Sequence, residues 1–143
     1  MIKIGATRAF LKREGFEFSL QPGQLDRKFR RALSPEKVEM FELAGLMPDC
    51  GERSKLIYSL PDDLQQAHLL FSHDSARTAI SFAWLASFAT ETEGPILDLG
   101  CGSGAFARLL AAHGKSQPIV GIDEAANLVA IAKKASREWR TLK

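Results

Sequence analysis

The sequence predicts an α/β protein in which a partial parallel sheet of two βα units follows a mainly helical amino-terminal region. Three observations carry that prediction. Short apolar runs at Ile96–Leu99 and Pro118–Ile122 each lead through a turn into a helical pattern, which is the βα repeat. Between the first run and its helix stand Gly100, Gly102 and Gly104, residues that let a backbone bend tightly and approach a ligand. Ahead of both runs, apolar residues recur at three- and four-residue intervals. The chain accordingly divides into a mixed, basic region over 1–60, a helical segment over 61–93, and the two βα units over 94–143.

Taken in order, Ala6–Glu14 reads as a short helix ended by Gly15, and Phe16, Phe18 and Leu20 alternate as a strand would before the Gln21-Pro22-Gly23 turn. Gln24–Leu33 places Leu25, Phe29, Ala32 and Leu33 on one helical face and Arg27, Lys28, Arg30 and Arg31 on the other. Ser34-Pro35 supplies an N-cap and a first-turn proline for a helix running to about Ala44, with Gly45 closing it. From Pro61 the apolar face runs through Leu64, Ala67, His68 and Phe71, then through Ala76, Ala79, Ile80, Ala83, Trp84 and Phe88. Ser72-His73-Asp74-Ser75 has the residue types of a hydrolase triad, but sequence neighbours do not converge as nucleophile, base and orienting acid, so it reads as a helix start. Gly94-Pro95 ends the helical run. Ala105–Ala112 and Ala125–Trp139 are the helices of the two βα units, with His113 suited to the first carboxyl end and Lys133, Lys134, Arg137 and Arg140 to the second.

The bend ahead of Ala105 is arranged to hold a polar small molecule, because unpaired N–H groups at a helix start face it. Gly100-x-Gly102-x-x-Ala105 also fits a dinucleotide fingerprint. Asp98, two residues before the first glycine, argues against that reading: its charge opposes a pyrophosphate and suits a ligand carrying an ammonium group. Asp123 ends the second apolar run about 20 residues beyond the glycines, where an acid in a βαβ unit accepts hydrogen bonds from ribose hydroxyls.

Leu97-Asp98-Leu99-Gly100-Cys101-Gly102-Ser103-Gly104 closely resembles the first motif of the class I S-adenosylmethionine-dependent methyltransferases, whose domain is Rossmann-like. The resemblance covers about residues 95–135. It implies S-adenosylmethionine as cofactor, with Asp98 at its amino acid end, Gly100, Cys101, Gly102 and Gly104 against it, Asp123 on the ribose and Glu124 beside the adenine. Typical members continue through several further strands, so the sequence is expected to be the amino-terminal, truncated part of such a domain. The implied activity is methyl transfer to an acceptor that the sequence does not name, and no residue stands out as general base. Two alternatives stay open: a non-catalytic binding or assembly module whose vestigial cofactor site is completed by another chain, and a fragment of a nicotinamide-dependent oxidoreductase.

Composition fits a soluble globular protein, with 45% hydrophobic and 25% charged residues and a net charge of +2 over 143 residues. No polyanionic partner follows from that balance. The Arg27, Lys28, Arg30, Arg31 cluster reads either as a solvated helix face or as a contact for RNA or DNA phosphates. Cys50 and Cys101 are too few for a disulfide framework, and His68, His73 and His113 lack zinc-site spacing. Apolar stretches are interrupted by polar residues and the start lacks a secretory segment, so the expected partner is no membrane and the expected location is cytoplasmic. The edge of the Ile96–Leu99 strand away from the second strand lacks an obvious cover, which predicts self-association.

Overall fold

A computed structural model describes residues 2–18, 20–139 and 142. Strands β1 (Ile96–Leu99) and β2 (Ile119–Ile122) pair in parallel, Ile96 opposite Ile119 and Leu99 opposite Ile122. Parallel neighbours need a crossover, and α7 (Ala105–Ala112) supplies it; α8 (Ala126–Ala135) follows β2. The fold is α/β, a partial Rossmann-like sheet preceded by a mainly helical region. Both strands end at the glycine bend and at Asp123, on the same side of the sheet.

Six helices precede the sheet: α1 (Ile4–Glu14), α2 (Pro22–Ala32), α3 (Pro35–Leu46), α4 (Gly51–Tyr58), α5 (Leu64–Phe71) and, after a 3-10 turn at Ser72–Asp74, α6 (Ser75–Glu91). Their ends are chemically marked. Gly15 closes α1 at φ 106°, a left-handed conformation that strains any residue with a Cβ. Ser34 Oγ accepts from Lys37 N–H at the start of α3, and Asp63 Oδ1 accepts from Gln66 N–H, 2.8 Å, at the start of α5.

Helix α1 packs on α6 and α7, α2 on α5, α3 on α4, and α5 on α8. Phe10, Leu11 and Phe16 thereby join Leu109, Leu110 and Ile119 in one core, while Ala67 meets Leu128 and Ile131 in a second. Each large apolar side chain fully buried this way contributes about 1.5–3 kcal/mol. The helical region therefore wraps the rear of the sheet and flanks the strand tips.

Four expectations need correction. Phe16, Phe18 and Leu20 are not in a strand, since among the described residues no other strand lies alongside to pair with them; Phe16 instead packs on the His68 ring, centroids 4.4 Å apart, and Phe18 lies under Arg8. Gly45 does not close α3, which runs on to Leu46; Met47 is extended as the residue ahead of Pro48 prefers to be. Helix α8 ends at Ala135, short of Trp139, and Arg140 lies outside the described residues. On α6 the buried stripe is Ser75, Ala79, Ala83 and Ala86, small residues that admit α1 closely, whereas Ile80, Trp84 and Phe88 are exposed.

The sheet has one covered and one bare face. Ile119 is fully buried against the core, but Leu97, Leu99, Val120 and Ile122 on the opposite face are exposed, Leu99 by 72%. Parallel sheets are ordinarily covered on both faces. Among the described residues β1 pairs with β2 alone, and Leu142 adds a parallel bridge to Ile119. No described helix is long and apolar enough to cross a membrane.

Candidate functional site

The bend is held by its own backbone and by the tip of β2. Gly100 and Cys101 N–H both donate to Ile122 O, at 2.7 and 3.0 Å, and Gly104 N–H donates to Cys101 O at 2.8 Å. Gly100, Gly102 and Gly104 all sit at positive φ, 76°, 52° and 77°, which a side chain would strain. Asp123 braces this shape: Oδ2 accepts from Gly102 N–H and Oδ1 from Ala125 N–H, each 2.8 Å. A carboxylate has about four lone-pair positions, so Asp123 retains acceptor capacity after both bonds.

Asp98 is placed differently. Its side chain is half-buried beside the bend, and Oδ2 is buried without a hydrogen-bond partner among the described residues. Burial first, and the nearby Asp123 charge second, hold its carboxyl above the usual carboxylate range. An orphaned acceptor under a neighbouring negative charge favours a cation as its partner.

In front of the bend lies a groove of about 890 Å³ bordered by Leu99, Gly100, Gly102 and the Ile122–Leu128 stretch, with Tyr58 and Phe71 on the opposite wall. Phe71 lies so close to Gly102 that a Cβ there would sit 3.4 Å from the ring. Helix α4 forms that wall and is fastened to α8, since Asn127 Nδ2 donates to both Tyr58 O and Pro61 O at 2.9 Å. Glu124 turns outward and pairs with Lys55 of α4 at 2.9 Å. A second cavity of about 370 Å³ adjoins the first across Gly100 and Gly102, reaching Phe16, Thr78 and Phe82.

Of the residues the sequence singles out, Gly100, Gly102, Asp123 and Glu124 border the groove, while Asp98, Cys101 and Gly104 belong to the same bend without lining it. Cys101 contributes backbone, not its thiol: the side chain turns toward β2, where a Cβ on Gly121 would come within 2.9 Å of Sγ. Burial, then the Asp98 and Asp123 charges, pushes that thiol up to about 11. Sequence reasoning missed Tyr58, Phe71, Lys55 and Asn127 as groove residues. Phe71 appeared only as part of an apolar stripe, and nothing local marks the other three.

Elsewhere, the residues once compared with a triad begin α6 as expected, though Asp74 makes no side-chain cap, and His73 Nε2 lies 3.1 Å from Asp26 Oδ1. Within the basic cluster, Lys28 pairs with Glu17 at 2.7 Å and Arg30 with Glu42, while Arg27 and Arg31 have no ion pair among the described residues.

Residues 96–142 match a protein-family model described as a methyltransferase domain. The match begins at the first residue of β1 and takes in the bend, β2 and α8; the helices α1–α6 lie outside it. No curated protein and no solved structure matches the chain. Strand β1, the glycine bend, β2 and α8 thus form the part of the chain that is similar to a methyltransferase domain.

Proposed function

We propose that the groove binds S-adenosylmethionine and that the protein transfers its methyl group to an acceptor. The observation that carries this reading is the groove before the glycine bend, bordered by an Asp123 with acceptor capacity to spare and lying next to a strand tip where Asp98 Oδ2 has no partner among the described residues. An ammonium group answers the first and ribose hydroxyls the second, so the donor set fits the amino acid and nucleoside ends of that cofactor. The groove volume, about 890 Å³, accommodates a molecule of that size. A dinucleotide fits less well, because the Asp98 and Asp123 carboxylates beside the bend disfavour a pyrophosphate there.

When bound, S-adenosylmethionine supplies an activated methyl on a sulfonium, ready for in-line displacement by a nucleophile. The protein's part is to bind and orient. Asp98 would hold the ammonium and Asp123 the ribose, and Gly100 and Gly102, which border the groove, would let the ligand lie against backbone. Tyr58 and Phe71, ring centroids 6.1 Å apart, form an apolar wall that excludes water from one side. Glu124 is committed to Lys55, so on this reading it borders the adenine through its backbone while the Lys55 pair closes the rim.

Calorimetric titration of the full chain with S-adenosylmethionine, S-adenosylhomocysteine and NAD tests the reading. Binding of the two sulfur nucleosides without NAD is expected. Binding of NAD alone would overturn it.

A further inference from the structure

We propose that His68, Arg108 and Glu14 are positioning residues for the glycine bend, gripping Ser103 from behind so that its ligand-facing side keeps one shape. The proposal rests on the assigned function only for what the bend holds; the grip itself is geometric. Ser103 is the one residue with a side chain between the left-handed Gly102 and Gly104, so it is the handle by which the turn can be fixed. It is 2% exposed and held at both ends: Oγ lies 3.0 Å from His68 Nε2, and the carbonyl oxygen accepts from Arg108 Nη1 at 2.6 Å.

The donor roles follow from the partners. His68 Nδ1 lies 2.6 Å from Glu14 O, and a carbonyl only accepts, so Nδ1 carries the proton. Nε2 of the neutral ring then offers a lone pair, and the Ser103 hydroxyl donates to it. Burial pushes the His68 pKa down to about 4, which keeps the ring neutral and this polarity fixed. Arg108, also 2% exposed, completes the circuit by donating through Nε, 2.9 Å, and Nη2 to Glu14 Oε2. Glu14 therefore meets His68 with its backbone and Arg108 with its side chain. Ser72 extends the hold on α5, donating through Oγ to His68 O at 2.6 Å and accepting from Glu17 N–H at 2.9 Å.

A buried ion pair is a weak source of net stability, because two charges lose their hydration, but it admits few geometries. That property suits a turn built of three glycines, which is otherwise free to take many. Glu14 and His68 lie on α1 and α5, outside the segment that matches a methyltransferase domain, so the helical region is part of the site's framework.

Hydrogen exchange of the full chain without ligand tests the grip directly. Ser103→Ala removes the hydroxyl donor, and Ser103→Thr keeps it. The first is expected to speed exchange at Gly102 and Gly104 by about tenfold, the equilibrium worth of one hydrogen bond, with α3 unaffected and Ser103→Thr close to wild type. Unchanged exchange at the bend, or a uniform rise across bend and helices together, would overturn the proposal. S-adenosylhomocysteine affinity, measured on the same variants, is expected to fall in Ser103→Ala and recover in Ser103→Thr. A wild-type chain that binds no S-adenosylhomocysteine while the exchange pattern holds would count against the assigned cofactor and leave the grip standing.

Discussion

At the tip of β2, both oxygens of Asp123 accept backbone N–H groups; at the tip of β1, an oxygen of Asp98 is buried with nothing among the described residues to accept from. The same side chain thus serves two ends. Asp123 is spent largely on structure, tying β2 to the bend and to α8, whereas Asp98 is held in an unfavourable state that a cation would relieve. Fold stability and ligand affinity should therefore separate when the two are changed in turn.

The largest effect is expected from Asp123→Ala. Hydrogen bonds to a charged group contribute about 1.5–3 kcal/mol each, so losing two lowers stability by about 3 kcal/mol or more, read as a lower urea midpoint, and removes S-adenosylhomocysteine binding. Asp98→Asn should do the reverse to stability, leaving it unchanged or raising it by up to about 1 kcal/mol, because a desolvated charge without a partner is removed. Affinity in that variant should fall by about 10- to 100-fold in calorimetry, as expected for loss of a charge-assisted bond.

The pH dependence sharpens the contrast. Asp98 titrates above its ordinary 3.8 in the folded protein, so its contribution to stability is full below that value and is lost as pH rises through the raised one. Affinity for an ammonium-bearing ligand runs the other way, growing as Asp98 ionises. Asp98→Asn should flatten both limbs, which thermal melts and titrations across acidic pH would reveal.

A smaller loss, about 1–2 kcal/mol, is expected from Gly121→Ala, whose Cβ would press on Cys101 Cβ and Sγ at 2.9 Å. Adding Cys101→Gly should restore part of it in urea denaturation. The smallest effect belongs to Lys55→Ala: its pair with Glu124 is exposed, so the melting temperature should stay put and affinity should change by less than about twofold.

The sequence made one half of the site readable and hid the other. The positions of Asp98, the three glycines and Asp123 at one bend were legible because the signals are local: a strand end, a left-handed turn, an acid at a set distance from it. The grip on Ser103 was not, since Glu14 and Arg108 are 94 residues apart and each has an ordinary helical reading alone. His68 reads from the sequence as part of an apolar stripe, and it is buried, but its two ring nitrogens show their use only when Glu14 and Ser103 are brought to either side. Phe16, Phe18 and Leu20 failed in the opposite direction. Alternation satisfied the local rule for a strand, but a strand exists only with a neighbour, and among the described residues none lies beside them.

Cys101 has a consequence for self-protection. A sulfonium methyl donor is an alkylating agent, and a thiolate beside it would be an acceptor ahead of any intended one. With its pKa pushed up to about 11, the Cys101 thiol is ionised in only about one molecule in ten thousand at neutral pH, and its sulfur faces Gly121. On the proposed function, a half-buried, protonated sulfur turned toward Gly121 makes Cys101 a poor methyl acceptor.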